Sequence, residues 1–114
     1  MEKINLLQKA NAVKGLYVYD KIARFNGNNI SVVQVENRTL DMHIHEHSDE
    51  IFFVIEGSFE LETEDGLTRV NAGEFVVVPK GTMHRPVVKE LTKFMMIEAD
   101  GTLNKKNSGS LYED

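Results

Sequence analysis

The segment "MHIHEHSDEIFFVIEG", Met42 to Gly57, sets His43, His45 and His47 at alternate positions and then Glu50. The chain holds four histidines in 114 residues; three lie here and the fourth is His84. Imidazole nitrogens and carboxylate oxygens are ligands for first-row transition metals. In an extended strand, side chains alternate faces, so Asp41, His43, His45 and His47 share one face and Met42 and Ile44 take the other. Two imidazoles at i and i+2 stand about 7 Å apart along a strand, and their ring nitrogens can converge on one ion. "EHSD" then turns the chain, and Glu50 opens the next strand facing the same interior as Phe52 and Val54. His84 follows a β-rich run and a Pro-Gly turn, "VVVPKGTM", which puts a further nitrogen at the end of another strand. The plain alternative is polar surface: His43 and His45 on an edge strand, Glu50 solvated beside a basic residue. His43, His45, Glu50 and His84 are the candidate metal ligands. His47 is about 13 Å from His43 along a straight strand, so it is expected at the rim.

Something must hold these residues, and the surrounding texture is β. "YVYDKIARF", "ISVVQVE", "LDMHIHEH", "EIFFVIEG", "SFELETED", "GEFVVVP", "HRPVV" and "TKFMMIEA" read as strands. Gly, Pro, Asp and Asn mark the joints: "NGNN", "EDG", "NAG", "PKG" and "ADG". Many short strands at close spacing imply an all-β sandwich or barrel. Ile4, Leu6, Leu7 and Ala10 recur at near-helical spacing, which predicts one short N-terminal helical segment. The expected plan is one domain: an N-terminal segment over 1–16, a barrel over 17–100, and a polar C-terminal arm over 101–114.

Composition narrows the function classes. The net charge is −5 with 41 % hydrophobic and 27 % charged residues, an ordinary globular balance. Without a basic block the chain is a poor nucleic-acid binder. It has no cysteine, which excludes disulfides and thiol chemistry. "MEKINLLQKANAVKG" has no apolar leader core, and no window reaches membrane-span length. A cytoplasmic protein without membrane partners is expected.

The two donor-bearing stretches resemble the motifs of the cupin family. The first cupin motif runs glycine, five residues, HxH, three or four residues, Glu, six residues, glycine. Here His43, Ile44 and His45 precede Glu50 by four residues, and "IFFVIE" leads to Gly57. The second runs glycine, five residues, PxG, two residues, His. Here Gly73, "EFVVV", Pro79, Lys80, Gly81, Thr82, Met83 and His84 follow it. Asn37 stands where the first motif opens on glycine, and Val88 where the second closes on asparagine. Asn tolerates a left-handed turn better than most residues. The resemblance implies a jelly-roll β-barrel and one divalent transition metal (Mn, Fe, Ni, Co, Cu or Zn) with open coordination positions. It implies Lewis-acid chemistry of isomerase, epimerase, lyase or dioxygenase type on a small organic or sugar-like molecule, or else a non-catalytic binding module. Tyr19, Asp41, His47, Phe52 and Val54 are the expected pocket residues, with Tyr19, Lys21, Asp41 and His47 as acid–base candidates. Small cupins commonly pair. Ile51, Phe53 and Ile55 alternate away from Glu50 and leave an apolar face, so a homodimer is expected.

Overall fold

The computed structural model describes residues 1–100; the expected C-terminal arm lies outside them. After helix α1 (Leu6–Ala12) come nine strands: β1 (Asp20–Phe25), β2 (Asn28–Val35), β3 (Arg38–Thr39), β4 (Glu50–Glu56), β5 (Ser58–Thr63), β6 (Gly66–Asn71), β7 (Phe75–Val78), β8 (Arg85–Val88) and β9 (Thr92–Ala99). They form two antiparallel sheets, one ordered β1-β2-β9-β4-β7 and the other β3-β8-β5-β6. This is an all-β jelly-roll architecture, two sheets closed over one core. No helix among the described residues is long and apolar enough to cross a membrane.

Alternation explains which side chains meet between the sheets. On β4, Glu50, Phe52 and Val54 are buried while Ile51, Phe53 and Ile55 are half-buried on the outer face. On β9, Thr92, Phe94, Met96 and Glu98 point inward by the same two-residue period. Phe52, Phe59 and Phe94 meet with ring centroids 5.6–5.7 Å apart at the centre of the core. Asn5 caps α1, its side-chain oxygen accepting from the Gln8 N–H at 2.9 Å. The helix docks by its fully buried Ala10, whose carbonyl accepts from Gln34 of β2.

The expected strand over "LDMHIHEH" does not form. β3 is two residues long, pairing Arg38 with Val88 and Thr39 with Val87. Beyond it the Leu40 N–H donates to the Pro86 carbonyl, but Pro86 has no N–H to return. The ladder resumes as a single bridge, His43 to His84. Four residues lead from Thr39 to His43 and three from His84 to Val87, so one extra residue bulges out. Two further differences arise. β6 was not expected, because five of its six residues are exposed and carry no apolar alternation. Strand structure also begins at Asp20 rather than Tyr17, which sits at φ 62°.

Candidate metal centre

His43 and His84 exchange both backbone hydrogen bonds at 2.9 Å. Such an antiparallel pair puts its side chains on one face. His45 is held two residues on, its carbonyl accepting from the Gly81 N–H at 2.8 Å. Glu50, at the start of β4, reaches across from the opposite sheet. All four side chains are buried, and one donor atom from each lies within 4.8 Å of the others. The imidazole centroids are 4.3 Å apart for His43 and His84 and 4.9 Å for His43 and His45.

The tautomers follow from the partners. Nδ1 of His43 lies 2.8 Å from the Asp41 carbonyl, and Nδ1 of His84 lies 2.8 Å from the Thr82 carbonyl. A carbonyl only accepts, so each Nδ1 carries the hydrogen and each Nε2 turns a lone pair inward. The Nε2 of His84 meets Glu50 Oε1 at 3.1 Å, and the Nε2 of His45 is 3.6 Å from Glu50 Oε2. Burial, then its two histidine neighbours, holds the His45 imidazole down to about 4. Burial also lowers His84. Imidazole nitrogens and carboxylate oxygens converging in one buried place are all potential metal ligands, an arrangement that a cation satisfies. Ligands at about 2.0–2.2 Å from an ion lie at most roughly 4.4 Å apart, so closing by a few tenths of an ångström suits the set to a first-row metal.

Beside the four lies a cavity of about 20 Å³, lined by Tyr19, Leu40, Phe52, Pro86, Phe94 and Met96 together with His43, His45 and Glu50. Of the expected pocket residues, Tyr19 and Phe52 are therefore at the site. Val54 is fully buried in the core and outside this lining. Asp41 is exposed and enters only through its backbone carbonyl. His47 is exposed too, and borders a different cavity with Ile51, Val77, Lys80 and Ile97. Strand parity had grouped Asp41 and His47 with the ligands. The bulge and the absence of a continuous strand undo that parity at both ends.

The sequence reading passed over Glu98. It is 3 % exposed and inward-facing on β9. Its carboxyl meets that of Glu50, and burial, then Glu50, pushes it well above the usual carboxylate range. Glu50 is raised as well, chiefly by burial. The signal was present in "TKFMMIEA": an acid on the same parity as Phe94 and Met96.

A family profile described as "Cupin domain" matches residues 30–99, more than half of the chain. The chain belongs to the cupin family. This cupin is 37 % identical over 82 residues to the "Uncharacterized protein YdbB" of Bacillus subtilis (strain 168), covering 71 % of this chain and 72 % of that protein. It is similar to a cupin-2 domain containing protein from Shewanella frigidimarina NCIMB 400, at 34 % identity and TM-score 0.79, over 84 % of this cupin and 93 % of that chain. Protein NMB1881 from Neisseria meningitidis matches at 31 % identity and TM-score 0.76, over 87 % of this cupin and 100 % of that chain. The opening position of the first motif, Asn37, has φ 48°, a left-handed turn that asparagine tolerates better than most residues.

Proposed function

We propose that this cupin binds one divalent transition metal through His43, His45, Glu50 and His84 and presents its remaining coordination positions to a small molecule. The observation that carries the reading is the buried set of acceptors turned toward one another, two of them with tautomers fixed by backbone carbonyls. When bound, such an ion supplies Lewis-acid polarisation of a carbonyl or enediol oxygen. Mn, Fe, Co, Ni, Cu and Zn all accept this nitrogen–oxygen set. The chain's own contribution is to favour the neutral form of His45 and His84 by burial and to surround the set with an apolar, water-excluding wall. The test is stoichiometry: protein stripped with chelator and titrated with each ion takes up one per chain. Uptake with no saturating site overturns the reading.

The cavity limits the ligand. About 20 Å³ holds one water, whereas sites for drug-sized ligands run to roughly 300–1,000 Å³. A larger substrate enters by displacing Tyr19 and Leu40, the least buried apolar residues of the wall at 9 % and 8 % exposure. Tyr19 is also the titratable side chain, outside the four, among the described residues that line the cavity, so it is the acid–base candidate if the site is catalytic. A non-catalytic binding module uses the same wall without proton transfer. Native mass spectrometry of bound ligand, followed by assay for its turnover, separates the two.

In the metal-free protein the His45 ring is expected to stay neutral through pH 5 and titrate near 4, read from its ring-proton NMR shift. The unfolded ring takes up a proton near 6.5, so this group withdraws stability as pH falls from 6.5 to 4. A midpoint at 6.5 shows a solvated ring and contradicts the buried site.

A homodimer through the outer face of the five-stranded sheet is part of the same proposal. Phe75 and Val77 on edge strand β7 are 62 % and 48 % exposed, and they sit opposite Phe53 and Ile51. A two-fold partner would bury this strip against its own copy. Sedimentation is expected to give a dimer that Phe75→Lys weakens; a wild-type monomer at micromolar concentration rejects it.

A further inference from the structure

Tyr19 and Leu40, which help to wall the cavity of about 20 Å³, both come from stretches with little sheet to hold them. Tyr19 ends residues 13–19, which join α1 to β1 and belong to neither helix nor strand. Leu40 follows β3, which is two residues long. Left-handed backbone marks both approaches: φ is 97° at Gly15, 62° at Tyr17 and 48° at Asn37. Glycine takes such an angle at no steric cost, whereas an aromatic residue keeps it only where its surroundings impose it. At Tyr17 those surroundings are specific. Its N–H donates to the Gln34 carbonyl at 2.8 Å, and its hydroxyl donates to the Glu36 carbonyl at 3.0 Å. The guanidinium of Arg38 lies 4.8 Å from the centre of its ring, a cation–π contact. Tyr19 and Leu40 stand two residues further along the same two stretches. An outer pair, half-buried Tyr17 with exposed Arg38, thus precedes an inner pair that lines the cavity.

We propose that residues 15–19 form a strap that opens and closes the metal cavity, latched shut by Tyr17 against Glu36 and Arg38. The inference rests on the metal reading above for what the opening admits, the ion and its small molecule. The strap has a fixed anchor at each end. Before it, the Gln34 side chain donates to the Ala10 and Val13 carbonyls at 2.8 and 3.3 Å. After it, β1 pairs with β2 from Asp20 onward. Release of Tyr17 lets Tyr19 lift while both anchors stay in place, so the barrel beneath stays folded. The latch contacts lie near the surface, where each is worth about two- to fivefold in a closing equilibrium. Contacts of that size break and re-form without global unfolding, as an access gate requires.

The chain has no cysteine, so a thiol placed in the wall reports its opening. Met96→Cys puts one in the cavity lining, and Val54→Cys puts one in the same core outside that lining. Each metal-free protein is treated with methyl methanethiosulfonate, too large for a cavity that holds one water, and the rate of modification is followed by mass at increasing urea below the unfolding transition. Opening of the strap exposes little surface, so its rate has a shallow urea dependence; global unfolding has the full slope. The proposal expects Met96→Cys to react at least about tenfold faster than Val54→Cys, with the shallow slope. Cutting the latch by Arg38→Ala or by Tyr17→Phe is expected to speed Met96→Cys about two- to fivefold, and both together about fourfold or more, with the slope still shallow. Reaction of Met96→Cys at the Val54→Cys rate and slope shows that the cavity opens only by unfolding and overturns the strap. Latch variants that leave the Met96→Cys rate unchanged overturn it too. If Met96→Cys does not fold, Leu40→Cys, in the same lining and at the wall's exposed edge, takes its place. The label needs no ion, so failure of the wild type to bind metal overturns the metal reading and is told apart from failure of the strap.

Discussion

His84→Ala and His45→Ala are expected to lose most bound metal on dialysis, with affinity falling at least a hundredfold and the metal-dependent rise in melting temperature falling to about a third or less. A closed four-ligand metal site is worth roughly 10–16 kcal/mol in small zinc domains. Shared over four ligands, that is about 3 kcal/mol each, or roughly a hundredfold in affinity. An ion present at a thousand times its dissociation constant stabilises the fold by about 4 kcal/mol. At about 4 °C per kcal/mol for a domain of this size, the wild-type melting temperature rises by roughly 15 °C on metal addition. A hundredfold loss leaves that ion at about ten times the dissociation constant, worth about 1.4 kcal/mol, so each alanine variant is expected to rise by about 5 °C or less. His47→Ala is the control: its side chain is exposed and faces another cavity, so metal content and the thermal shift stay at wild-type values. Elemental analysis after dialysis, beside melting curves with and without metal, reads both quantities. Equal metal loss in His47→Ala and His45→Ala would mean that the turn brings His47 to the ion and that the four-residue assignment is wrong.

The parts of this site visible in the sequence were those that obey a two-residue period. Glu50, Phe52 and Val54 face the interior as alternation requires, and one acidic position among apolar ones is a readable signal. His84 was joined to His43 and His45 by motif spacing, since nothing local says that residues 41 apart will pair. The stretch around the histidines was misread as a strand because its period looked regular. Whether the ladder continues there depends on its partner, and that partner contains Pro86. Asp41 was expected in the pocket and is exposed for that reason; His47 is exposed, in keeping with the rim position expected of it, and borders a cavity other than the metal pocket. β6 escaped for the opposite cause: Val70 is its one buried side chain, so almost no pattern exists to find. Glu98 was legible on the same rule as Glu50, yet an acid near the end of a strand reads as a solvated terminus until the neighbouring strand is known. The size of the cavity had no counterpart in the sequence, because it depends on how Tyr19, Leu40 and Met96 close over the site from three separate segments.

Gly57→Ala is expected to destabilise the fold by about 2–5 kcal/mol without touching a metal ligand. Gly57 joins β4 to β5, and there the chain passes from one sheet to the other. Its φ is 90°, a left-handed conformation that costs a residue with a Cβ about 1–2 kcal/mol. Space is the second constraint. A Cβ built there would stand 2.5 Å from the Leu91 carbonyl oxygen and 3.0 Å from Thr92 Cα and Oγ1. The first two are backbone, and Thr92 Oγ1 is tied to the Ser58 carbonyl at 2.8 Å, so no flexible side chain can yield. Overpacking of that kind adds about 1–3 kcal/mol. Gly27 separates the two effects: its φ is 79° and nothing lies within 4 Å of its Cβ position, so Gly27→Ala carries the conformational cost alone, about 1–2 kcal/mol. Urea denaturation of the three proteins without metal reads the difference as a shift in midpoint at constant slope. Gly57→Ala that still folds is expected to keep wild-type metal stoichiometry, since Glu50 lies at the far end of β4 and the histidines on other segments. Equal midpoints for the two variants would show that the contact with Leu91 and Thr92 relaxes freely and that Gly57 is needed for its backbone angle alone.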